Sequence, residues 1–260
     1  MVEPTRGILF PRRLPDFRRL PAPPSVAHAA AWFWIPEWDL APGEVSPQAI
    51  VGYPALNLVV EGAAVTLCGA TTRAGIRELR GRGWAVGALL RPAAVARLID
   101  DPASLRDRET TYPAPELQAS VARAMASGPR RHERAVSAFA AWLAEHVGDQ
   151  DEVAAHANAM ADLLMGDPEV RTPEQAAARL AVSVRTLQRM AHRFVGLPPA
   201  AMIRRRRLQE AAERVRNDPA ADLASIAAEF GYADHAHLAR EFRAVLGFAP
   251  SEYRARLAGT

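Results

Sequence analysis

The stretch LAVSVRTLQRMAHRFVGLPP (Leu180–Pro199) and its echo FGYADHAHLAREFRAVLGFAPSEYR (Phe230–Arg254) decide how the last third of this chain folds. Just ahead of the first, Thr172 and Gln175 flank Pro173 at the spacing of a capping box, with proline at the first helical position, which predicts a helix from there to about Leu180. Ser183 can cap a second helix. In it Val184, Leu187, Met190, Ala191 and Phe194 share one face at about 100° per residue, and Gly196 followed by Pro198 and Pro199 ends it. Two short helices joined by a turn of about three residues make a helix-turn-helix.

The phrase then recurs. Leu187, Gly196 and Pro199 are matched by Leu238, Gly247 and Pro250 at a constant offset of 51, whereas Leu180 and Phe230 differ by 50. The second unit therefore carries one extra turn residue, within Gly231 to Asp234. The two units are expected over 173–195 and 222–246, with a long helix from Pro199 to Arg216 between them. A rigid joining helix fixes the separation of the two second helices, and successive major grooves on one DNA face lie about 34 Å apart.

The net charge of +3 hides an asymmetry. All 32 basic residues are Arg; residues 171–260 carry 15 of them against 9 Asp plus Glu, and the remainder 17 against 20. A basic last third beside a mildly acidic remainder suits a chain of which one part meets polyanionic nucleic acid. The length, 260 residues, leaves room for one or two domains, and 49% hydrophobic with 23% charged residues is a soluble globular composition. Cys68 is the only cysteine, which excludes a disulfide framework within one chain and a zinc site of several thiolates. The opening MVEPTRGILFPRRLPDF has charge and proline where a signal peptide needs an apolar run, and no stretch approaches the roughly 18 apolar residues that span a bilayer. A cytoplasmic protein with no membrane partner is expected.

Over residues 170–257 the chain resembles the DNA-binding domain of the AraC/XylS family of transcription regulators, through its two units, their spacing, the Gly-x-x-Pro endings and the closing Tyr253-Arg254. The front half resembles the uncharacterised β-rich, sensor-like domain that precedes this DNA-binding domain in a subset of the family. Arg6-Gly-Ile-Leu9, Trp34 with Trp38-Asp39-Leu40, Leu56-Asn-Leu-Val-Val-Glu61, and Leu79-Arg-Gly-Arg-Gly83 followed by Gly87 and Arg91-Pro92 carry that likeness. The resemblance implies a bacterial regulator, an activator by the family's habit, whose N-terminal domain has a regulatory or dimerising role.

With Leu187 taken as inward, Arg185, Gln188, Arg189 and His192 fall on the outward half of the first recognition helix. Arg and Gln can read guanine and adenine edges through paired hydrogen bonds, and a solvated polar face is the weaker alternative inside this motif. With Leu238 inward, Ala236, Ala239, Arg240 and Arg243 face out in the second, and His235 lies near the helix start. Arg240 is the best base or phosphate contact there and Arg243 a phosphate contact; alanine offers only a surface to a thymine methyl. The run Arg204–Arg207 spans too much of a helix turn to face one partner. It is expected to be solvated and packing-related, with Arg206 four residues before Glu210, in reach of an ion pair. Ala181 stands where the family often has Gly, so the first unit's turn is expected to differ in angle.

The front half reads as strands, Leu56–Val60, Ala64–Leu67 and Trp84–Leu90 among them, between Gly and Pro punctuation. From Pro115 the period becomes helical, with Val136, Phe139, Leu143 and Val147 ahead of Gly148 and Val153, Ala157, Met160 and Leu164 ahead of Gly166. All five Trp lie before residue 150; core is favoured for them over a ligand pocket. Cys68 has no activating neighbour and is expected to be inert.

The expected fold is α+β: a β-rich, barrel-like domain over 1–112, a helical connector over 113–166 that could dimerise, and an all-α DNA-binding domain over 167–260. No cofactor, metal or catalytic site is expected, since no phosphate-cradling Gly loop, ligand cluster or nucleophile with a base is found. The expected partners are double-stranded promoter DNA, RNA polymerase, a small-molecule effector and a second copy of the chain. A ligand-independent architectural DNA-binding protein is one rival. An enzyme in the front half is the other.

Overall fold

The computed structural model describes residue 9, residues 16–126 and residues 128–258. Arg6 to Ile8, part of the motif quoted above, lie outside the described residues. Among those described, no helix is long and apolar enough to cross a membrane.

Among the described residues, the front half is built on eight strands: β1 (Asp16–Pro21), β2 (Ala30–Asp39), β3 (Val45–Ile50), β4 (Asn57–Glu61), β5 (Ala64–Cys68), β6 (Gly75–Arg80), β7 (Arg82–Leu90) and β8 (Glu109–Thr111). Six of them form one antiparallel sheet in the order β1-β2-β7-β4-β5-β8, and β3 pairs with β6 in a second. Among the described residues the sheet ends at β1 and β8, so it is open where a barrel-like closure was expected.

Alternation at period two sorts the strand residues. Phe33 and Ile35, Leu58 and Val60, Val65 and Leu67, and Val86, Ala88 and Leu90 point to one face and are buried. Helices α2 (Pro115–Met125) and α3 (Arg131–Val147) cover that face with Leu117, Val121, Phe139 and Leu143, and the Phe139 ring meets Phe33 edge-on at 5.4 Å. Short α1 (Pro92–Leu98) adds Ala94 and Val95 to the same core.

The tryptophans of β2 are not in this core, contrary to expectation. They lie half-buried on the opposite face, and two of the three are laid across a glycine of the neighbouring strand. Trp34 pairs with Gly87 and Trp38 with Gly83, where a Cβ would stand 2.1 Å and 2.4 Å from the rings. This close approach accounts for the glycines at 83 and 87. Trp142 does enter the core, at 6% exposure.

The remaining helices are α4 (Glu152–Gly166), α5 (Pro173–Arg179), α6 (Val184–Val195), α7 (Pro199–Asn217), α8 (Leu223–Glu229), α9 (His235–Leu246) and α10 (Pro250–Ala258). They form two cores. In the first, Ala157, Met160 and Leu164 of α4 pack with Leu187, Ala191 and Phe194 of α6 and with Met202 and Ile203 of α7. In the second, Leu208, Ala211 and Val215 of α7 pack with Ile226, Leu238, Phe242 and Tyr253. Helices of the 113–166 segment thus divide: α2 and α3 belong to the sheet's core, α4 to the first helical one. Val153, read as part of the apolar stripe of α4, is exposed.

The halves are stitched by polar groups, most of them buried. Asn158 on α4 accepts from the Ala93 N–H at 3.1 Å and donates to the His28 carbonyl at 2.8 Å. Arg106 donates to the Gly196 carbonyl at 2.8 Å, and Gln209 to that of Val51 at 3.1 Å. The Tyr253 hydroxyl donates to the Leu9 carbonyl at 2.5 Å. Cys68 is held to Glu109 across β5 and β8; burial, reinforced by that carboxylate, pushes its thiol up to about 12, too high for a nucleophile at neutral pH.

Candidate nucleic-acid interface

Each helix-turn-helix starts at a cap the sequence specifies. The Thr172 hydroxyl accepts from the Gln175 N–H, and the Gln175 side chain returns a bond to the backbone of Thr172, completing the capping box of α5. Ser183 caps α6 by accepting from the Thr186 N–H at 3.0 Å. In the second unit Asp222 caps α8 and Asp234 caps α9 in the same way, through the N–H groups of Ser225 and His237. Gly196 and Gly247 end α6 and α9 with φ of +79° and +84°.

The turns differ in length by one residue, as the offset requires: 180–183 in the first unit and 230–234 in the second. Ala181 takes φ +52° and Gly231 φ +70° at equivalent places. The turn in the first unit therefore keeps the left-handed step expected of glycine, and Ala181 bears the Cβ penalty in place of a changed angle. Ala181→Gly is expected to raise stability by about 1 kcal/mol, since it removes that penalty at an exposed site without touching a contact. Chemical denaturation of both proteins checks it.

The polar faces lie as follows. Arg185, Gln188, Arg189 and His192 of α6 are all exposed, opposite the buried Leu187, Ala191 and Phe194. On α9, His235, Ala236, Arg240 and Arg243 are exposed. Ala239 is not: it is 7% exposed and turned in with Leu238 and Phe242, which corrects the expectation that it faces out. The inward stripe of α9 is wider than Leu238 alone implies. It runs through Leu238, Ala239, Phe242 and Leu246, leaving Ala236, Arg240 and Arg243 as the open strip.

The arginine run is the feature sequence reasoning read least well. Only Arg204 is exposed; Arg205 and Arg206 are buried and Arg207 half-buried. The four cations reach four directions. Arg204 faces Glu241 of α9 at 3.9 Å, and Arg205 donates to the Thr71 carbonyl of the front half at 2.9 Å. Arg206 donates to the Leu164, Asp167 and Val170 carbonyls past the end of α4, and lies 3.6 Å from Glu210, the ion pair the spacing predicted. Arg207 donates to the Phe230 and Gly231 carbonyls in the second unit's turn at 2.6 and 2.5 Å and stacks on Tyr232 at 4.5 Å. The run sits where α7 leaves the first core and enters the second, and ties α7 to both.

Residues 176–256 match a family model described as "Helix-turn-helix domain", and residues 18–113 one described as "Domain of unknown function (DUF6597)". Similar solved structures include an apo variant of ToxT from Vibrio cholerae strain SCE256, at a TM-score of 0.46 and 10% identity, covering 86% of this chain and 97% of that one. ToxT from Vibrio cholerae O395 bound to (E)-4-(8-methylnaphthalen-1-yl)but-3-enoic acid gives 0.46 and 10%, covering 86% and 99%. Unsaturated fatty acid bound wild-type ToxT from strain SCE256 gives 0.43 and 12%, covering 88% and 96%. No curated protein matches the chain.

Proposed function

We propose that this chain, whose residues 176–256 form an AraC-type helix-turn-helix domain, is a sequence-specific DNA-binding transcription regulator that reads its site with α6 and anchors with α9. The observation that carries this is the pairing of two capped helix-turn-helix units on one helix, α7, each with an exposed polar strip on its second helix. On α6 that strip holds Arg185, Gln188, Arg189 and His192, suited to base edges. On α9 it holds His235, Ala236, Arg240 and Arg243, richer in charge than in hydrogen-bonding pattern. Ala239 is removed from the contact set by its burial.

The front half is the regulatory part in this reading, and activation follows from the family likeness. Selection of bound duplexes from a random pool by the full chain tests the proposal. A defined sequence should emerge; equal affinity for all duplexes would favour an architectural DNA binder instead. Arg243→Ala should weaken binding to every duplex by a similar few-fold factor and reduce the salt slope by about 1, as loss of one phosphate contact requires. Titrations at several salt concentrations measure it, and a sequence-selective loss would refute the phosphate role.

A further inference from the structure

The two helix-turn-helix units are not held alike. Helix α4 stands to the first as α7 stands to the second: Ala157, Asn158 and Leu164 match Leu208, Gln209 and Val215 at the offset of 51 that relates α6 to α9, and all six are buried. Both turns close on the same pair of backbone bonds. The Ala181 and Val182 N–H groups donate to the Ala178 and Ala177 carbonyls, and those of Gly231 and Tyr232 to Ala228 and Ala227. At the same offset His156 is matched by Arg207, and here the units part. His156 Nδ1 donates to the Glu152 carbonyl of its own helix at 2.9 Å. Arg207 reaches across to the turn, where its Nε donates to the Phe230 carbonyl at 2.6 Å and its Nη2 to that of Gly231 at 2.5 Å. Its guanidinium carbon lies 4.5 Å over the ring of Tyr232. That ring is buried and meets His237, in the first turn of α9, edge-on at 5.4 Å. Arg171, from the link before α5, closes in on the same turn. A Cβ at position 231 would stand 3.1 Å from its Nη1 and 3.6 Å from Arg207 Nη2, so only glycine leaves room for both cations.

We infer, on the DNA-binding reading above, that Arg207 is a positioning residue for DNA recognition, fixing the angle at which α9 leaves its turn. The second unit's turn is one residue longer than the first's, and a longer turn has more ways to place the helix that follows. Bonds to two consecutive carbonyls and a stacked ring reduce these to one. The angle matters because of leverage. Arg243 lies eight residues beyond His235, about 12 Å along the helix, so a tilt of about 10° at its start carries Arg243 about 2 Å from a phosphate, beyond hydrogen-bonding reach. Arg207 does this without touching DNA. A phosphate contact asks only for a charge, whereas two consecutive carbonyls ask for the planar fork of a guanidinium.

The first measurement is amide exchange of the full chain without DNA. Arg207→Met should speed exchange at Gly231, Tyr232 and His237 and leave their counterparts Ala181, Val182 and Thr186 as in the wild type. An equal rise in both units, or none in either, overturns the clamp. The second measurement compares affinity for the selected duplex with affinity for one cut short beyond the half read by α6. The wild type should prefer the full duplex, and Arg207→Met should lose several-fold of that preference with its affinity for the short duplex unchanged. A protein that is merely less stable loses the same factor on both, because only its folded fraction has fallen, and that outcome overturns the positioning role. Arg207→Lys keeps the charge and the stem, serves in both measurements if the methionine variant fails to fold, and should lose nearly as much. Full retention by lysine would assign Arg207 to phosphate contact instead. A wild type indifferent to the second half would refute the anchoring by α9 in the proposed function, and the positioning role with it, even where exchange responds.

Discussion

Arg206→Met is expected to cost about 3–5 kcal/mol of stability, the largest effect of any substitution named here, because it breaks a buried charge network from one side. The side chain is 1% exposed. It is the partner of three carbonyls, those of Leu164, Asp167 and Val170, which follow from the end of α4 into the link to α5. A helix leaves its last carbonyls without intrahelical donors, and here a side chain from 36 to 42 residues away satisfies them. Methionine fills much of the same volume and donates nothing, so these acceptors and Glu210 lose their cation together. Arg206→Lys should rescue little, since one ammonium cannot span acceptors that a guanidinium fork reaches from two nitrogens. Urea unfolding followed by circular dichroism measures both. An unchanged midpoint for Arg206→Met would show that the network contributes nothing.

Arg189→Ala should lower affinity for the selected duplex by roughly 10- to 100-fold, the worth of one good bidentate base contact, while random-duplex affinity falls less than about threefold. The exposed position of Arg189 opposite the buried Leu187 makes the substitution silent for folding, so the loss reads on DNA alone. Fluorescence anisotropy at one fixed salt concentration separates the two affinities. An equal loss on both duplexes would move Arg189 from base reading to phosphate contact.

The helix-turn-helix units were legible because their signals are local. A Thr-Pro-x-Gln cap, a Ser or Asp before each recognition helix and a Gly after it state where a helix starts and stops, and all of these atoms make the expected bonds. The length difference between the turns was legible for the same reason. Ala239 was misread because one inward residue, Leu238, was used to orient the whole helix, although the stripe that packs includes Phe242 and Leu246. The run Arg204–Arg207 was read as packing-related, with the Arg206–Glu210 pair, but also as solvated; the burial of Arg205 and Arg206 was missed because the acceptors are mostly backbone carbonyls, and a carbonyl leaves no mark in a sequence. Thr71, Phe230 and Val170 give no hint that a guanidinium ends on them. Trp34 and Trp38 were misassigned because their partners are glycines 53 and 45 residues on, visible only once the strands are in register. Apolar runs between Gly and Pro did reveal β4, β5 and β7, while the two-stranded sheet of β3 and β6, with Ile76 exposed, lacks the pattern that would have announced it.

Helix α7 runs 19 residues, about 28 Å at the α-helical rise, and its middle is bolted by arginines to the units on either side. In the proposed reading this makes the two recognition helices a single bivalent ligand. Once α6 is seated, α9 is presented to the next groove at a high effective concentration and with little freedom left to lose. The same stiffness works as a filter. A site whose two halves are a few base pairs too close or too far forfeits the second contact entirely, so spacing discriminates between promoters as strongly as the bases do.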